Sequence, residues 1–405
     1  GAGHIHPYTN WAGAATNLQA AIAAADANDT ILVSNGVYMG EVAVDKSLSI
    51  RGLGGVRLTG KAAYPFTNQV RALSVNPGCL LDLRNVTIAG GYHNAGGGIH
   101  NRGTLVLKDC TIVSNEANLI TGRGGGLYNA GTATIERCSF SFNRAHGEGT
   151  PSAGTGFGGG IYCAAGSILV VADSAFVGNR AHGDSNYNIR EGGSGYGGAL
   201  CNDGGTVTLT GVTLATNSAA GAWGGYNPGS GFGGAVYANG AGATTLRSCT
   251  LVDNRALPGS SSSSGNGGGI YVEIGAPAVN IDNTIVARNT AVTRGPDVCG
   301  TLNATGRNLV GNTADCAING ETGGVLAGVD PGLTGLGDYG GSTPTCVPLY
   351  GSPVIDQGSS NGVPAFDPRG VARLMDGDFN GQPQNDIGAC EYDPQEMDSD
   401  GDTLS

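Results

Sequence analysis

The sequence predicts an all-β protein, a parallel β-helix or solenoid with a short N-terminal capping helix and a loop-rich C-terminal cap. Three observations predict this fold. One pattern of a glycine motif, a short strand and a closing asparagine returns six times between about residues 95 and 290. Glycine provides 75 of the 405 residues, as in a chain with many tight turns, while 40% of the residues are hydrophobic and can form a core. Strands this short bury their inner face only when they stack as rungs.

Each repeat begins with a glycine motif and ends at an asparagine. The motifs are GGGIHN at Gly96, GGGLYN at Gly124, GGGIYC at Gly158, GGALCN at Gly197, GGAVYA at Gly233 and GGGIYV at Gly267. The closing asparagines are Asn115, Asn143, Asn179, Asn217, Asn254 and Asn289. Apolar residues stand three and eight positions before each asparagine, with mostly polar residues between them. This alternation predicts strands whose inner faces share one core.

The closing asparagines predict a structural ladder. Stacked rungs lie about 4.8 Å apart, so each side-chain amide can bond to the next one along the axis. We therefore expect these residues to hold the fold rather than to carry catalysis.

Motifs along most of the chain resemble a known family. The pairing of GG[GA][ILV] with a downstream F/L/I-x-x-N resembles the repeat of polymorphic outer-membrane proteins. Other segments are similar to secreted bacterial choice-of-anchor β-helix proteins: NLQAAI at 17–22, DTILV at 29–33, GSPVIDQG at 351–358, DPRGVAR at 367–373 and NDIGACEY at 385–392. The resemblance implies a right-handed parallel β-helix and an extracellular or cell-surface location. It implies no particular activity.

The same reading divides the chain into four parts. We expect an N-terminal cap and first rungs at 1–92, the six-repeat β-helix at 93–295, a C-terminal cap region at 296–395, and an acidic tail or linker at 396–405. The capping helix is predicted over 16–25, because Leu18, Ile22 and Ala25 share one face. The start at Gly1 suggests a removed signal segment.

Ten cysteines leave two alternatives open. No C-x-x-C pair is present, which excludes zinc ribbons. An even number permits disulfides in an oxidising compartment, whereas buried free thiols are equally compatible with the sequence. The candidate pairs are Cys110/Cys138, Cys299/Cys316 and Cys346/Cys390.

The inserts all fall between the asparagine and the next glycine motif, so they are expected to project from one corner of the solenoid. The candidate residues for stacking on a ligand in these inserts are Trp223, Tyr226 and Tyr187. A second aromatic set, Phe157, Tyr196 and Phe232, is expected to form a ladder beneath the loops, with a sugar-stacking platform as the alternative.

Charged residues recur beside the ladder. Arg144, Arg180 and Arg255 each follow a closing asparagine and could pair with loop carboxylates or bind acidic sugars. His146 and His182 occupy matching places one repeat apart, but the spacing fixes no third ligand for a metal.

The strongest metal-ligand motif lies near the end of the chain. Asp376, Asp378, Asn380 and Gly381 form the D-x-D-x-N-G start of a calcium loop. The closing glutamate is missing, and Asp386 stands one residue short of its place, so a plain acidic turn is the alternative. Asp398, Asp400 and Asp402 form a second acidic motif in the tail. Calcium is the cofactor expected from both.

Composition excludes some functions and leaves three open. The net charge of −12, with few lysines, argues against nucleic acid as a partner, and no apolar run is long enough for a membrane span. No repeated outward position collects acids, so a secreted structural or adhesive protein ranks first. It would assemble with itself, as a homo-oligomer or end-to-end filament, or bind surface glycans. The alternatives are a glycan-binding module and a polysaccharide lyase or hydrolase.

Overall fold

A computed structural model describes residues 14–60, 69–119, 121–148, 153–186, 191–360 and 362–394. The architecture is an all-β, right-handed parallel β-helix, as the repeats predict. Each complete rung carries five strands in chain order, and equivalent strands of successive rungs pair in parallel. The stacked strands form five faces, numbered here in the order in which a rung passes through them.

Faces 1 to 3 enclose the core. Face 1 comprises Val42–Val44, Leu73–Val75, Ile99–Asn101, Leu127–Asn129, Ile161–Cys163, Leu200–Asp203, Val236–Asn239, Ile270–Val272 and the start of Val298–Thr305. Face 2 comprises Thr30–Val33, Leu48–Gly52, Leu80–Arg84, Thr104–Lys108, Thr132–Glu136, Ile168–Ala172, Thr206–Thr210, Thr244–Arg247, Val279–Asp282, the remainder of Val298–Thr305, and Cys316–Gly320. Face 3 comprises Gly36–Met39, Val56–Thr59, Thr87–Ala89, Thr111–Val113, Ser139–Ser141, Ala175–Val177, Thr213–Ala215, Thr250–Val252, Ile285–Ala287, Asn308–Val310 and Val325–Ala327.

Faces 4 and 5 come from the inserts. Face 4 comprises Tyr92–His93, Glu116–Leu119, Arg144–Gly147, Arg180–His182, Ser218–Ala220, Arg255–Leu257 and Thr290–Ala291. Face 5 comprises Thr121–Arg123, Thr155–Phe157, Gly195–Tyr196, Gly231–Phe232 and Gly265–Asn266. One antiparallel hairpin, Ser185–Asn186 with Glu191–Gly192, extends beyond them. The part of each insert nearest the ladder is therefore a regular pair of strands rather than a loop.

These two faces lie back to back and form a thin fin. Its interior holds an alanine column from face 4, including Ala145 and Ala181, against a glycine column from face 5, including Gly156 and Gly195. A Cβ at Gly156 would overlap the carbonyl oxygen of Ala145. The fin therefore depends on glycine, because any larger residue would separate its two sheets.

One continuous apolar core runs through the coil, from Leu18 to Val310. The turn before each ladder asparagine requires a left-handed residue, and non-glycine residues such as Phe142 (φ 54°) and Asp253 (φ 58°) adopt it. Left-handed backbone is costly for such residues, so the bonds of the neighbouring asparagine must hold it in place.

The N-terminal end is covered by a helix, Leu18–Ala24, with Asn17 as its N-cap. Leu18 and Ile22 enter the core. The Gln19 side chain pairs with the edge of face 1: its amide nitrogen donates to the Ala43 carbonyl (3.1 Å), and its oxygen accepts from the Ala43 N–H (2.9 Å). Gln19 thus satisfies backbone groups that another strand would otherwise bond.

The rungs continue to Ala327, and the following chain folds back along the side of the coil. We call residues 329–360 and 362–394 the lobe. The Thr345 hydroxyl bonds to the Thr213 hydroxyl (2.8 Å), and the Ala389 N–H donates to the Thr250 hydroxyl (2.9 Å). Apolar residues of the lobe, including Leu333, pack on face 3. The lobe therefore covers the outer side of face 3 in the later rungs, from Thr213–Ala215 onward.

Candidate functional site

The six closing asparagines form a buried ladder. Asn179 shows the repeating bond pattern. Its Oδ1 accepts both from the Asn143 backbone N–H (3.1 Å) and from Asn143 Nδ2 (3.0 Å), while its own Nδ2 donates to Asn217 Oδ1 (3.0 Å) and to the Phe140 carbonyl (2.7 Å). Every side-chain donor and acceptor is used inside the stack. These residues are thus fully occupied in holding the coil.

The ladders contain further members that the repeat pattern does not predict. Asp297 ends the main ladder, since its carboxylate accepts from Asn289. A second ladder consists of two residues, Asn101 and Asn129, on the turn from face 1 to face 2. The Asn101 side-chain amide donates to the Asn129 side-chain oxygen at 2.8 Å. The final asparagine of the GGGIHN and GGGLYN motifs was the available signal for this second pair.

An arginine column runs along the outer side of face 4. Parallel pairing aligns Arg144 with Arg180, and Ser218 separates Arg180 from Arg255. Arg180 and Arg255 are exposed, and Arg144 is half-buried. None of the three guanidinium groups forms an ion pair with a carboxylate in the described part of the chain. In the described part of the chain, the three guanidinium groups thus lack the carboxylate partners that the first of the two alternatives from the sequence requires.

The glycine motif positions this column. The backbone carbonyl of Arg180 would collide with a Cβ at Gly159, the second glycine of the GGGIYC motif. The strand Arg180–His182 can therefore start directly against face 1 only because that position lacks a side chain. Alternation along the strand then buries Ala181 in the fin and directs Arg180 and His182 outward.

The two histidines lie beside the arginine column. Their ring centroids are 5.7 Å apart, and His146 Nε2 stands 3.7 Å from Asp184 Oδ2. Burial, followed by the charge of Arg144, lowers the pKa of His146 to about 4 and also lowers the pKa of His182. Both rings are therefore neutral near pH 7. Among the described residues, they do not belong to a group with metal-binding spacing.

Stacked aromatic rings fill the corner between face 1 and face 5. Phe157, Tyr196 and Phe232 stack in one column, with centroids 4.7 and 5.1 Å apart. Tyr128 and Tyr162 stack in a second column on face 1, and Phe157 meets Tyr162 edge to face. Ring faces are thus covered by other rings. A sugar would reach mainly edges and hydroxyl groups, so the arrangement favours a ladder over a stacking platform.

The loop aromatics lie at the outer edge of the fin. Trp223 and Tyr226 follow the face 4 strand Ser218–Ala220 and are 52% and 74% exposed. The Ser185 hydroxyl donates to the Trp223 carbonyl (2.6 Å), which fixes this loop beside the hairpin. Tyr187 lies outside the described residues. Trp223 is thus an exposed ring on the same structural unit as the arginine column.

The predicted calcium loop brings some of its residues together and separates another. Asp376 and Asp378 approach Asp356, and ligand oxygens of the three lie within 4.8 Å of one another. Asn380 belongs to the same turn, where its N–H donates to Asp376 Oδ1 (3.0 Å). Asp356 was missed, because it precedes the motif by twenty residues and the spacing gives no sign of it.

Asp386 is not part of this group. Its two carboxylate oxygens accept from the backbone N–H groups of Asp356 (2.7 Å) and Tyr392 (2.5 Å), so it is a buried structural acceptor. Burial raises its pKa to about 7. Asp398, Asp400 and Asp402 of the acidic tail lie outside the described residues.

The candidate disulfides are not formed. All ten cysteines, Cys110/Cys138, Cys299/Cys316 and Cys346/Cys390 included, are free thiols, and nine of them are buried. Cys110 and Cys138 do lie on neighbouring rungs, but the Cys110 backbone N–H contacts the Cys138 sulfur at 3.4 Å and each thiol also contacts a carbonyl of its own turn. The cysteines thus fill small buried positions, which was the other alternative from the sequence.

No protein-family model, curated protein or solved structure matches this chain. The resemblance to polymorphic outer-membrane and choice-of-anchor proteins therefore rests on the sequence motifs alone. Within the described part of the chain, no helix has the length and apolar character needed to cross a bilayer.

Proposed function

We propose that the protein is an extracellular or cell-surface adhesive rod that binds an acidic polysaccharide along face 4. The observation that carries this proposal is the column of Arg144, Arg180 and Arg255, which form no ion pair with any carboxylate of the described residues. Guanidinium groups bind carboxylates through paired, charge-assisted hydrogen bonds, which makes uronic acids a suitable ligand class.

The surroundings of the arginine column favour a ligand-binding role over a chance arrangement of surface residues. The protein as a whole carries a net charge of −12, so a column with three arginines that form no ion pair with the described carboxylates is a local exception. Their strands are fixed by the ladder on one side and by the glycine-lined fin on the other. A rigid row at rung spacing, about 4.8 Å or a multiple of it, suits an extended polymer with regularly placed charges.

A comparison of binding to an acidic and to a neutral polysaccharide tests the proposal. The full chain should bind polygalacturonate in isothermal titration calorimetry and should not bind neutral dextran. Replacement of all three arginines (R144Q, R180Q and R255Q) should weaken the affinity at least about tenfold, because the loss of even one charge-assisted bond costs about 1.5 kcal/mol.

A charge-matched control separates the column from general electrostatics. Arg51, Arg57 and Arg102 are exposed, form no ion pairs with the described carboxylates, and belong to faces 2 and 3 or to a turn. The R51Q/R57Q/R102Q variant has the same net charge as the R144Q/R180Q/R255Q variant. It should bind polygalacturonate as tightly as the parent does. Equal losses in both triple variants, or binding of dextran as tight as that of polygalacturonate, would contradict the proposal.

A further inference from the structure

Three carboxylates converge in the lobe from two separate segments. Asp356 ends the turn that contains Val354 and Ile355, which are buried. Asp376 and Asp378 belong to the turn of the D-x-D-x-N-G motif. Oxygens of all three lie within 4.8 Å of one another, which is a spacing that one cation can bridge.

Asp356 supplies an observation independent of this proximity. The residue is only 4% exposed, and its Oδ1 is buried without a hydrogen-bond partner. Its Oδ2 accepts from the Asp378 N–H at 2.7 Å, so the carboxylate faces the motif turn. A buried carboxylate oxygen left without a donor is costly unless another group compensates it.

The charges of the three residues also favour a cation. None of the three carboxylates forms an ion pair with a side chain in the described ranges. Backbone groups fix their positions instead, since the two oxygens of Asp376 accept from the N–H groups of Asn380 (3.0 Å) and Gly381 (2.8 Å). Three negative charges are thus held close together by the fold, and a divalent cation would neutralise most of that charge.

We propose that Asp356, Asp376 and Asp378 form a Ca²⁺ site that joins the turn of the D-x-D-x-N-G motif to the turn that ends at Asp356. The donor set consists of carboxylate oxygens, which are the ligands of hard cations rather than of zinc. Calcium accepts six to eight oxygens in flexible geometry, and three carboxylates with water can provide them. The expected dissociation constant is that of extracellular calcium modules, about 10⁻⁴ to 10⁻³ M.

Calorimetric titration of the chelator-treated full chain with CaCl2 tests the site. We expect one Ca²⁺ per chain, and a D376N/D378N variant should lose the binding heat. These two residues are partly or fully exposed, so the variant should still fold. The matched control is D330N/D338N, which changes two aspartates that accept backbone bonds in other turns of the lobe. This control should bind Ca²⁺ as the parent does.

Thermal unfolding gives a second readout, the rise in melting temperature that calcium causes. Millimolar calcium should raise the melting temperature of the parent, because the folded parent binds the ion. The melting temperature of D376N/D378N should be the same with and without calcium. Absence of binding heat in the parent, or equal calcium stabilisation of the parent and D376N/D378N, would overturn the proposal.

Discussion

Asn289 donates both its backbone N–H (2.9 Å) and its Nδ2 (2.8 Å) to one carboxylate oxygen of Asp297. An aspartate thus occupies the place of the next asparagine and ends the ladder. Its other oxygen accepts from the Asn312 N–H at 2.7 Å. A carboxylate suits this last position, because its neighbours Asn289 and Asn312 both present N–H donors to it and it has only acceptor oxygens.

The first prediction concerns this last member of the ladder. In Asp297→Asn, one side-chain group must become an NH2 that faces a donor, either Asn289 or Asn312. We expect a loss of about 1–3 kcal/mol in the free energy of unfolding, measured by urea denaturation. Asp330→Asn, at an exposed turn of the lobe, is the control and should change this quantity by less than about 0.5 kcal/mol. An Asp297→Asn chain as stable as the parent would show that the carboxylate is dispensable.

The second prediction tests the packing of the fin. Gly156→Ala places a Cβ against the carbonyl oxygen of Ala145 and should cost about 1–3 kcal/mol. Gly335→Ala provides the comparison, because a Cβ there meets no atom within 4 Å. The Gly156→Ala variant should have a lower melting temperature than the Gly335→Ala variant. Equal melting temperatures would mean that the two sheets of the fin separate without cost.

The third prediction concerns pH. Burial, with the neighbouring Asp386 as the next cause, raises the pKa of Glu391 to about 9. The folded lobe then keeps a proton that the unfolded chain loses near the ordinary carboxyl pKa. Stability should therefore fall as the pH rises from about 5 to about 9. Glu391→Gln stays neutral and keeps an oxygen to accept from the Asp386 N–H, so its melting temperature should fall less over this range.

A matching pH slope in the parent and in Glu391→Gln would remove Glu391 as the cause. Glu273→Gln serves as the control, because this carboxylate accepts from the Tyr237 hydroxyl on the other side of the coil and its replacement should leave the slope unchanged.

The fourth prediction addresses self-assembly. Gln19→Ala removes both bonds to Ala43 and should cost about 0.5–1.5 kcal/mol. It also frees an edge at which another strand could pair, so light scattering should detect more self-association than in the parent. Gln382→Ala, at an exposed turn of the lobe, should stay at the parental mass. An end-to-end filament through this end would require the helix Leu18–Ala24 to move away.

Local and periodic features could be predicted from the sequence, whereas long-range ones could not. The ladder asparagines were visible because each rung repeats the same column, and the capping helix because its apolar residues share one face. Face 5 was not predicted, since its short strands contain glycine and lack the apolar alternation that identifies a strand. The inner side of those strands packs against face 4 through close backbone contacts instead of apolar side chains.

The lobe shows the same limit for the metal-binding residues. The D-x-D-x-N-G motif is local and could be recognised. Asp356 reaches the motif only in the folded chain, and its distance from the motif in the sequence does not indicate this contact. Asp386 stands near the place of the missing ligand in the sequence, yet its oxygens are bonded to Asp356 and Tyr392 backbone groups in the interior. Contacts such as that of Thr213 with Thr345 depend on how the lobe folds back, which a periodic sequence pattern does not encode.

The most direct measurement for the proposed function is a crystal structure of the protein with an acidic oligosaccharide such as tetragalacturonate. We expect sugar carboxylates bonded to the guanidinium groups of Arg144, Arg180 and Arg255 on face 4. An oligosaccharide bound in the aromatic corner between faces 1 and 5, or elsewhere with those three arginines uncontacted, would contradict it.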